Sequence, residues 1–347
     1  MNRALGCVYG QFIGDALGSR YEFKSGKITR NMLKRDQNNG QIPLLGDGAF
    51  GYGPGVVTDD GEMAMSLLSS CIQHGRMNAA HVACCYFRWL KSSPPDIGIT
   101  CRSALDCNFE PDHIYDAMFK RNGQDRLSPA DWEIVHETLL KSVKEHNRVS
   151  LSNGSLMRQS VLAAFYACSD SCDELMKAIE EDTNLTHCAH DAISASKIYG
   201  RTIYSLIRGK TPREAYEDAL NSCDSSLVRS LLMAADKNAV PVTLPDGRTS
   251  NGDDVSIGYL GVALQIAFHQ LLHCSSFEDG LIAAVSVGGD TDTNGAITAA
   301  LIGARFGIDD IPDDWKKSVE GAELRLKGEN GIKSFEYLIE GVKKRYE

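Results

Sequence analysis

Gly6-Cys7-Val8-Tyr9-Gly10-Gln11-Phe12-Ile13-Gly14-Asp15-Ala16-Leu17-Gly18 sets a glycine at every fourth position of a mostly apolar stretch. The pattern predicts a helix from Asn2 to Leu17, and residues four apart share a helix face. One edge of that helix therefore carries no side chains. Each glycine costs about 1 kcal/mol relative to alanine in a helix, so close backbone packing or room for a ligand must compensate. Ala296, Ala299, Ala300 and Gly303 make a similar small-residue edge on a second predicted helix, Asn294 to Phe306. The two edges are expected to pack against each other.

Outward from this pair, helical periodicity covers most of the chain. Helices are predicted over Gly61 to His74, Ala79 to Leu90, Pro129 to Glu145, Ser155 to Cys168, Cys172 to Thr183, His187 to Arg208, Thr211 to Leu220 and Ser225 to Ala235. Further ones follow over Gly258 to Leu272, Phe277 to Val285, Pro312 to Lys327 and Ile332 to Lys344. Strand-like alternation is scarce, so the expectation is an all-α fold of about 14 helices. Loops are expected at Lys24 to Val57, Ser92 to Arg102 and Val240 to Ser256, the last as a lid or β-like excursion. Without internal repeats, coiled coils or low-complexity tracts, residues 1–347 read as one domain.

The composition, 43% hydrophobic and 24% charged over 347 residues, is that of a soluble globular protein with a sizeable core. A net charge of −10 and a pI of 5.4 argue against nucleic-acid and anionic-membrane partners. The eleven cysteines are scattered without zinc-ribbon or CxxC spacing, which reads as reduced, structural and cytoplasmic. Gln11 and Asp15 interrupt the apolar N-terminal stretch, and neither a signal peptide nor a membrane span is expected.

Two short acidic turns carry the chemistry: Thr58-Asp59-Asp60 and Asp290-Thr291-Asp292-Thr293. Each concentrates carboxylate and hydroxyl oxygens without histidine or cysteine, a donor set that suits magnesium or manganese and poorly suits zinc or copper. Four carboxylates at one point would need about two divalent ions, because like charges in low dielectric cannot all stay ionised unaided. The competing reading is helix capping, since both turns run into helix-like segments. Gly288-Gly289, just before the second turn, suggests a close backbone approach. An EF-hand reading of Asp290-x-Asp292-x-Asn294-Gly295 fails because Leu301 stands where a bidentate glutamate is needed. A haloacid-dehalogenase-type phosphatase is a weak alternative, since Asn294 and the Gly288-Gly289 interruption depart from its pattern.

Together these segments resemble the ADP-ribosylglycohydrolase family. The motifs are the Gly6 to Gly18 stretch, Thr58-Asp59-Asp60, Ser152-Asn153-Gly154-Ser155-Leu156-Met157-Arg158, Thr186-His187, Gly258-Tyr259, Gly288-Gly289-Asp290-Thr291-Asp292-Thr293, and the Gly303 to Trp315 tail. The resemblance spans essentially the whole chain and implies a single compact orthogonal helical bundle with a di-metal cleft. It implies two Mg2+ or Mn2+ ions held by Thr58, Asp59, Asp60, Asp290, Asp292 and Thr293, with Asp292 as bridge. Asp59, Asp60, Glu22 and Asp292 would form the catalytic set, Glu22 or an aspartate of the first pair moving the proton. Asn153, Gly154, Ser155 and Met157 would line a diphosphate loop, with Ser155 opening a helix whose N-terminal amides suit an anion. His187 would face the ligand, with Tyr259, Gly288 and Gly289 contributing to its site. An ordinary Asn-Gly turn and a packed or capping histidine are the competing readings of Asn153-Gly154 and His187. Gly61-Glu62 departs from the threonine or serine that many relatives carry after the aspartate pair.

The implied reaction is hydrolysis of the bond between the ribose anomeric carbon and an acceptor side chain, with oxocarbenium character at that carbon. The expected partners are an ADP-ribosylated protein and ADP-ribose, with arginine the favoured acceptor. A serine adduct, an O-acyl-ADP-ribose or a non-catalytic ADP-ribose-binding module are the alternatives. Complete retention of six oxygen ligands argues against the binding module, and the product separates the hydrolase from a phosphohydrolase.

Overall fold

Fifteen of the seventeen residues of the first helix, α1 (Asn2–Gly18), are buried, so it runs through the middle of the molecule. A helix buried on every side needs neighbours that come close. In this computed structural model, which describes residues 1–110, 112–119, 127–325 and 334–347, the remaining helices in chain order are α2 (Gly26–Asp36), α3 (Asp59–His74), α4 (Ala79–Lys91), α5 (Ile99–Leu105), α6 (Asp112–Phe119), α7 (Pro129–His146), α8 (Ser160–Tyr166) and α9 (Asp173–Thr183). They continue as α10 (His190–Ile207), α11 (Pro212–Ser222), α12 (Ser226–Ala235), α13 (Leu260–His273), α14 (Phe277–Val285), α15 (Thr291–Phe306), α16 (Asp313–Glu320) and α17 (Phe335–Lys343). Sheet is limited to two-residue pairs: β1 (Lys24–Ser25), β2 (Val242–Thr243), β3 (Thr249–Ser250) and β4 (Gly288–Gly289), with β1 against β4 and β2 against β3, both antiparallel.

The glycine edge does what its spacing predicts. A Cβ added at Gly6, Gly10, Gly14 or Gly18 would lie 2.4, 2.2, 2.2 and 2.1 Å from the carbonyl oxygens of Gly303, Ala299, Gly295 and Thr291. The edges of α1 and α15 are thus in backbone contact, and they run antiparallel. That direction sets the end of α1 beside the start of α15. The chain leaving α1 then pairs through β1 with β4, immediately before α15, so Glu22 is delivered to the second acidic turn.

All-α is the architecture observed, with seventeen α-helices among the described residues rather than about fourteen. The three additional ones are α2, α5 and α6. α2 lies in the expected Lys24 to Val57 loop; it is mostly polar, with only Gly26, Thr29 and Leu33 buried, and so gives a weak apolar signal. α5 starts within the expected Ser92 to Arg102 loop. Ser155 to Cys168 is divided into a 3-10 turn, Leu156–Arg158, and α8. The expected Pro312 to Lys327 helix stops early, at Glu320 in α16, and residues 321–325 are not helical, while Ile332, the expected start of the last helix, lies outside the described residues. Val240 to Ser256 contains the β2-β3 hairpin, so its β-like character is observed. One continuous hydrophobic cluster reaches from Ala4 to Val342, and no described helix is long and apolar enough to cross a membrane.

Candidate metal centre and ligand cavity

α3 begins at the first acidic turn and α15 at the second, and the fold brings the two starts together. Thr293 Oγ1 donates to Asp60 Oδ2 at 3.2 Å, a direct link across the two turns. One carboxylate oxygen each of Glu22, Asp290 and Asp292 lie within 4.8 Å of one another. Glu22, Asp59, Asp60, Asp290, Asp292 and Thr293 line one cavity of about 600 Å³. Thr58 lies behind them, buried, its hydroxyl 3.4 Å from Asp60 Oδ2.

Capping does not account for these acids. Thr58 and Asp290 occupy the N-cap positions of α3 and α15, yet neither makes a side-chain cap hydrogen bond. The start of α3 is held instead by Asp15 of α1, a fully buried carboxylate missed in the sequence. It accepts from Thr58 N at 3.0 Å and from Gly61 N at 2.8 Å. The same contact explains the Gly61 departure: a Cβ there would sit 2.6 Å from Asp15 Oδ2 and 2.5 Å from Val57 Cβ. An aspartate inside an apolar glycine-edged helix was the available signal. Glu62, one residue on, points elsewhere. It accepts from Trp89 Nε1 at 2.7 Å and from Arg325 at 2.6 and 2.9 Å, and Arg325 also reaches Ser92, just before the loop that bears Asp96.

Burial first, and neighbouring carboxylates second, raise the proton affinity of the cluster. Glu22 is pushed up to about 9 by desolvation and by Asp290, Asp96 and Asp59. Asp59 rises to about 8 by desolvation and by Asp96, Asp15 and Asp290. Asp60 and Asp292 are raised well above the ordinary range for the same kinds of reason. Asp60 Oδ1 and Glu22 Oε2 are buried without a hydrogen-bond partner. An all-oxygen donor set with orphaned buried carboxylate oxygens and destabilised negative charge fits hard divalent cations.

The rest of the wall joins other elements. Asn153 Nδ2 donates to Asp290 Oδ2 at 2.7 Å, and Asn153 N donates to Gly258 O at 3.0 Å, which ties the Ser152-Asn153-Gly154 loop to the segment before α13. Asn153, Gly154 and Met157 line the cavity, as do Asp96, Thr100, Ser152 and Gly258, which sequence reading did not assign. Asp96 is raised by desolvation and by Asp290; it sits in a proline-containing loop where an isolated acid gives no pattern.

Several expected ligand contacts are placed differently. Ser155 does not open an α-helix: a three-residue 3-10 turn follows it, and the amides of Leu156 and Met157 are both spent on Asn153 O. Its buried hydroxyl faces Ser196 at 3.4 Å. His187 lies behind the wall, fully buried, with its ring nitrogens 2.7 Å from Ser152 Oγ and 2.8 Å from Thr186 Oγ1. Tyr259 is buried off the cavity, its hydroxyl unpartnered. Gly288 and Gly289 have φ of 85° and 75°, and their close approaches are to protein: added Cβ atoms would meet Gly26 N at 2.5 Å and Gly252 O at 2.0 Å.

A family model described as ADP-ribosylglycohydrolase matches residues 1–341. The chain belongs to the ADP-ribosylglycohydrolase family. L543 of Acanthamoeba polyphaga mimivirus, a provisionally named ADP-ribosyl glycohydrolase, is 30% identical over 94% of each chain. The ADP-ribosyl-[dinitrogen reductase] glycohydrolase of Rhodospirillum rubrum is 27% identical, covering 92% of this chain and 90% of that protein. The ADP-ribosylarginine hydrolase Tri1 of Serratia proteamaculans is 25% identical over 91% of this chain and 74% of its own length. A solved ADP-ribosylglycohydrolase-related protein complex shares the fold, with a TM-score of 0.68 at 21% identity over 100% of this chain and 98% of that one. The acidic cavity described above therefore belongs to a glycohydrolase fold, and hydrolysis is the activity that this family supports.

Proposed function

We propose that this ADP-ribosylglycohydrolase removes ADP-ribose from a modified protein side chain with two bound Mg2+ or Mn2+ ions, and that the arginine N-glycoside is its preferred bond. The observation that carries the reading is the convergence of the two acidic turns, with orphaned Asp60 Oδ1 and Glu22 Oε2, on the lining of a cavity sized for a ligand of this class. Thr58, Asp59, Asp60, Asp290, Asp292 and Thr293 would hold the ions. When bound, the ions would supply Lewis acidity toward the ribose hydroxyls and acidify a water.

The chain's own groups do the rest. Glu22 or an aspartate of the first pair takes a proton from the water that attacks the anomeric carbon, a proton passes to the departing nitrogen as its bond to that carbon breaks, and the surrounding carboxylates stabilise the positive charge that builds at the carbon. Ile97, Ile99, Met157 and Ile257 give the cavity apolar sides. Asp96, on the same wall and outside the Glu22-Asp290-Asp292 group, is placed to pair with a guanidinium, a charge-assisted contact that a serine acceptor could not make. The names of the Rhodospirillum and Serratia relatives agree with that acceptor. All eleven cysteines are free, which supports a reduced cytoplasmic setting, and the continuous core supports treating 1–347 as one domain.

The test is incubation with arginine-ADP-ribosylated protein and, in parallel, a serine adduct, each with Mg2+, Mn2+ or chelator, followed by mass spectrometry. Metal-dependent release of intact ADP-ribose from arginine is expected. Release from serine alone would overturn the acceptor assignment, and binding of ADP-ribose with no release from either would leave a binding module.

A further inference from the structure

Behind the Ser152-Asn153-Gly154 wall lies a buried network that the cleavage chemistry does not use. Arg158 is fully buried and each of its three guanidinium nitrogens donates: Nε to Asp182 Oδ2 at 2.8 Å, Nη1 to Gly154 O at 2.7 Å, and Nη2 to Asp182 O at 3.0 Å and Thr186 Oγ1 at 2.9 Å. Asp182 also accepts from Tyr86 Oη and Gln159 Nε2, both at 2.7 Å. Thr186 Oγ1 continues to His187 Nδ1, and His187 Nε2 to Ser152 Oγ. Ser152 is on the cavity wall.

The direction of these links follows from where protons can be placed. Arginine only donates, so Thr186 Oγ1 accepts from Arg158. Thr186 then has one proton to place, and its hydroxyl contacts only Arg158 and His187 among the described residues. If that proton goes to His187 Nδ1, the neutral ring carries its own at Nε2 and donates to Ser152, whose proton is left facing the cavity. With the other tautomer, Ser152 donates inward and Thr186 keeps a fully buried O–H with no acceptor. Both arrangements make the same number of hydrogen bonds. They differ in whether the leftover proton is buried or lies on the cavity wall, and only the wall can offer it a partner. Burial, then the charge of Arg158, push His187 down to about 3, so the ring stays neutral near pH 7.

The lining itself holds no lysine, arginine or histidine among the described residues, so an anionic ligand group away from the metals must be met by neutral donors. Asn153 has one of its two amide protons committed to Asp290. We propose that Arg158, Thr186 and His187 form a one-way hydrogen-bond relay that holds the Ser152 hydroxyl as a donor to a phosphate oxygen of the ligand. Ser152 touches the ligand, and the other three are positioning residues acting through it. The inference rests on the ADP-ribose reading for its ligand, though the relay stands on the protein's own geometry.

Two measurements on the whole chain test it. Long-range 1H–15N spectra of 15N-histidine-labelled protein, with His187→Gln for assignment, should show His187 as the neutral Nε2–H tautomer from pH 6 to pH 8. An Nδ1–H tautomer or an imidazolium there overturns the relay. Calorimetric binding of ADP-ribose to Ser152→Ala should be roughly tenfold weaker than to wild type, with unchanged Mg2+ affinity and a lowered melting temperature, because the buried His187 Nε2–H loses its acceptor. Unchanged ADP-ribose affinity would remove Ser152 from the ligand contact. Should wild-type protein bind no ADP-ribose at all, the functional reading fails, and the tautomer still decides the relay.

Discussion

Gly14→Ala should destabilise the protein and weaken its metal site, although alanine is the better helix former. On propensity alone the change gains about 1 kcal/mol, chiefly because the unfolded chain is stiffer. The structure opposes this with backbone atoms that no rotamer can move: the new Cβ would lie 2.2 Å from Gly295 O, 2.5 Å from Gly295 C and 2.8 Å from Ala296 N. Normal C···O contact begins at roughly 3.3 Å, so α1 and α15 must part by about 1 Å. A gap of that size forfeits about a quarter to a half of the dispersion attraction at each affected contact. The same edge is equally tight at Gly10 and Gly18, so the strain cannot dissipate along the helix. Overpacking of this severity costs about 3 kcal/mol or more, leaving a net loss of at least about 2 kcal/mol after the propensity gain. Because α15 starts at the second acidic turn, the shift also strains the 3.2 Å Thr293–Asp60 bond, and Mg2+ affinity should fall with it. Urea unfolding with chelator measures the first effect and calorimetry the second. Gly98→Ala is the stability control, with open space for its Cβ and a φ of −58°. If Gly14→Ala is as stable as wild type, the argument that the glycine edge exists to bring the two backbones together is wrong.

Chelated protein should lose stability as pH rises. Glu22 at about 9 and Asp59 at about 8 bind protons more tightly folded than unfolded, so their contribution is full below about pH 4 and lost toward pH 8 to 9, at about 1.4 kcal/mol per pH unit for each retained proton. Saturating Mg2+ should flatten that slope in urea unfolding; equal slopes with and without metal would refute the cluster's proton linkage. His187 acts with the opposite sign. Held at about 3 in the fold, it takes up its proton only on unfolding, so wild type should lose about 2 kcal/mol relative to His187→Gln between pH 7 and pH 5, and parallel pH profiles of the two proteins would contradict this. Arg325→Ala strands the buried Glu62 carboxylate and should cost about 2 to 3 kcal/mol, largely recovered in the Glu62→Gln, Arg325→Ala double variant; additive losses would show that the pair is not coupled. At saturating Mg2+, Asp96→Asn should slow release from an arginine adduct at least about tenfold through the lost charge-assisted contact, and an unchanged rate would remove Asp96 from acceptor recognition.

The amino-acid sequence by itself determined the helical class, the pairing of α1 with α15 and the two acidic turns, because these are local or periodic signals: a spacing of four, apolar recurrence, and oxygen donors crowded into three or four residues. Glycine at Gly6, Gly10, Gly14 and Gly18 states its own requirement, since only a close backbone justifies the helix cost. α2 and α5 were not legible, being short or polar and stabilised by what they lie against. The cavity residue Asp96 was equally silent, and Asp15 offered only the oddity of an acid inside an apolar helix. A single acid has no pattern, and its meaning comes from the backbone amides it accepts from or the cavity it faces. Tertiary structure also decided which members of the Ser152 to Arg158 segment meet the cavity. Asn153 O takes the amides that an anion would have used, and His187 retreats behind Ser152, because buried donors and acceptors must first satisfy one another. That accounting depends on segments far apart in the chain, and only the folded arrangement settles it.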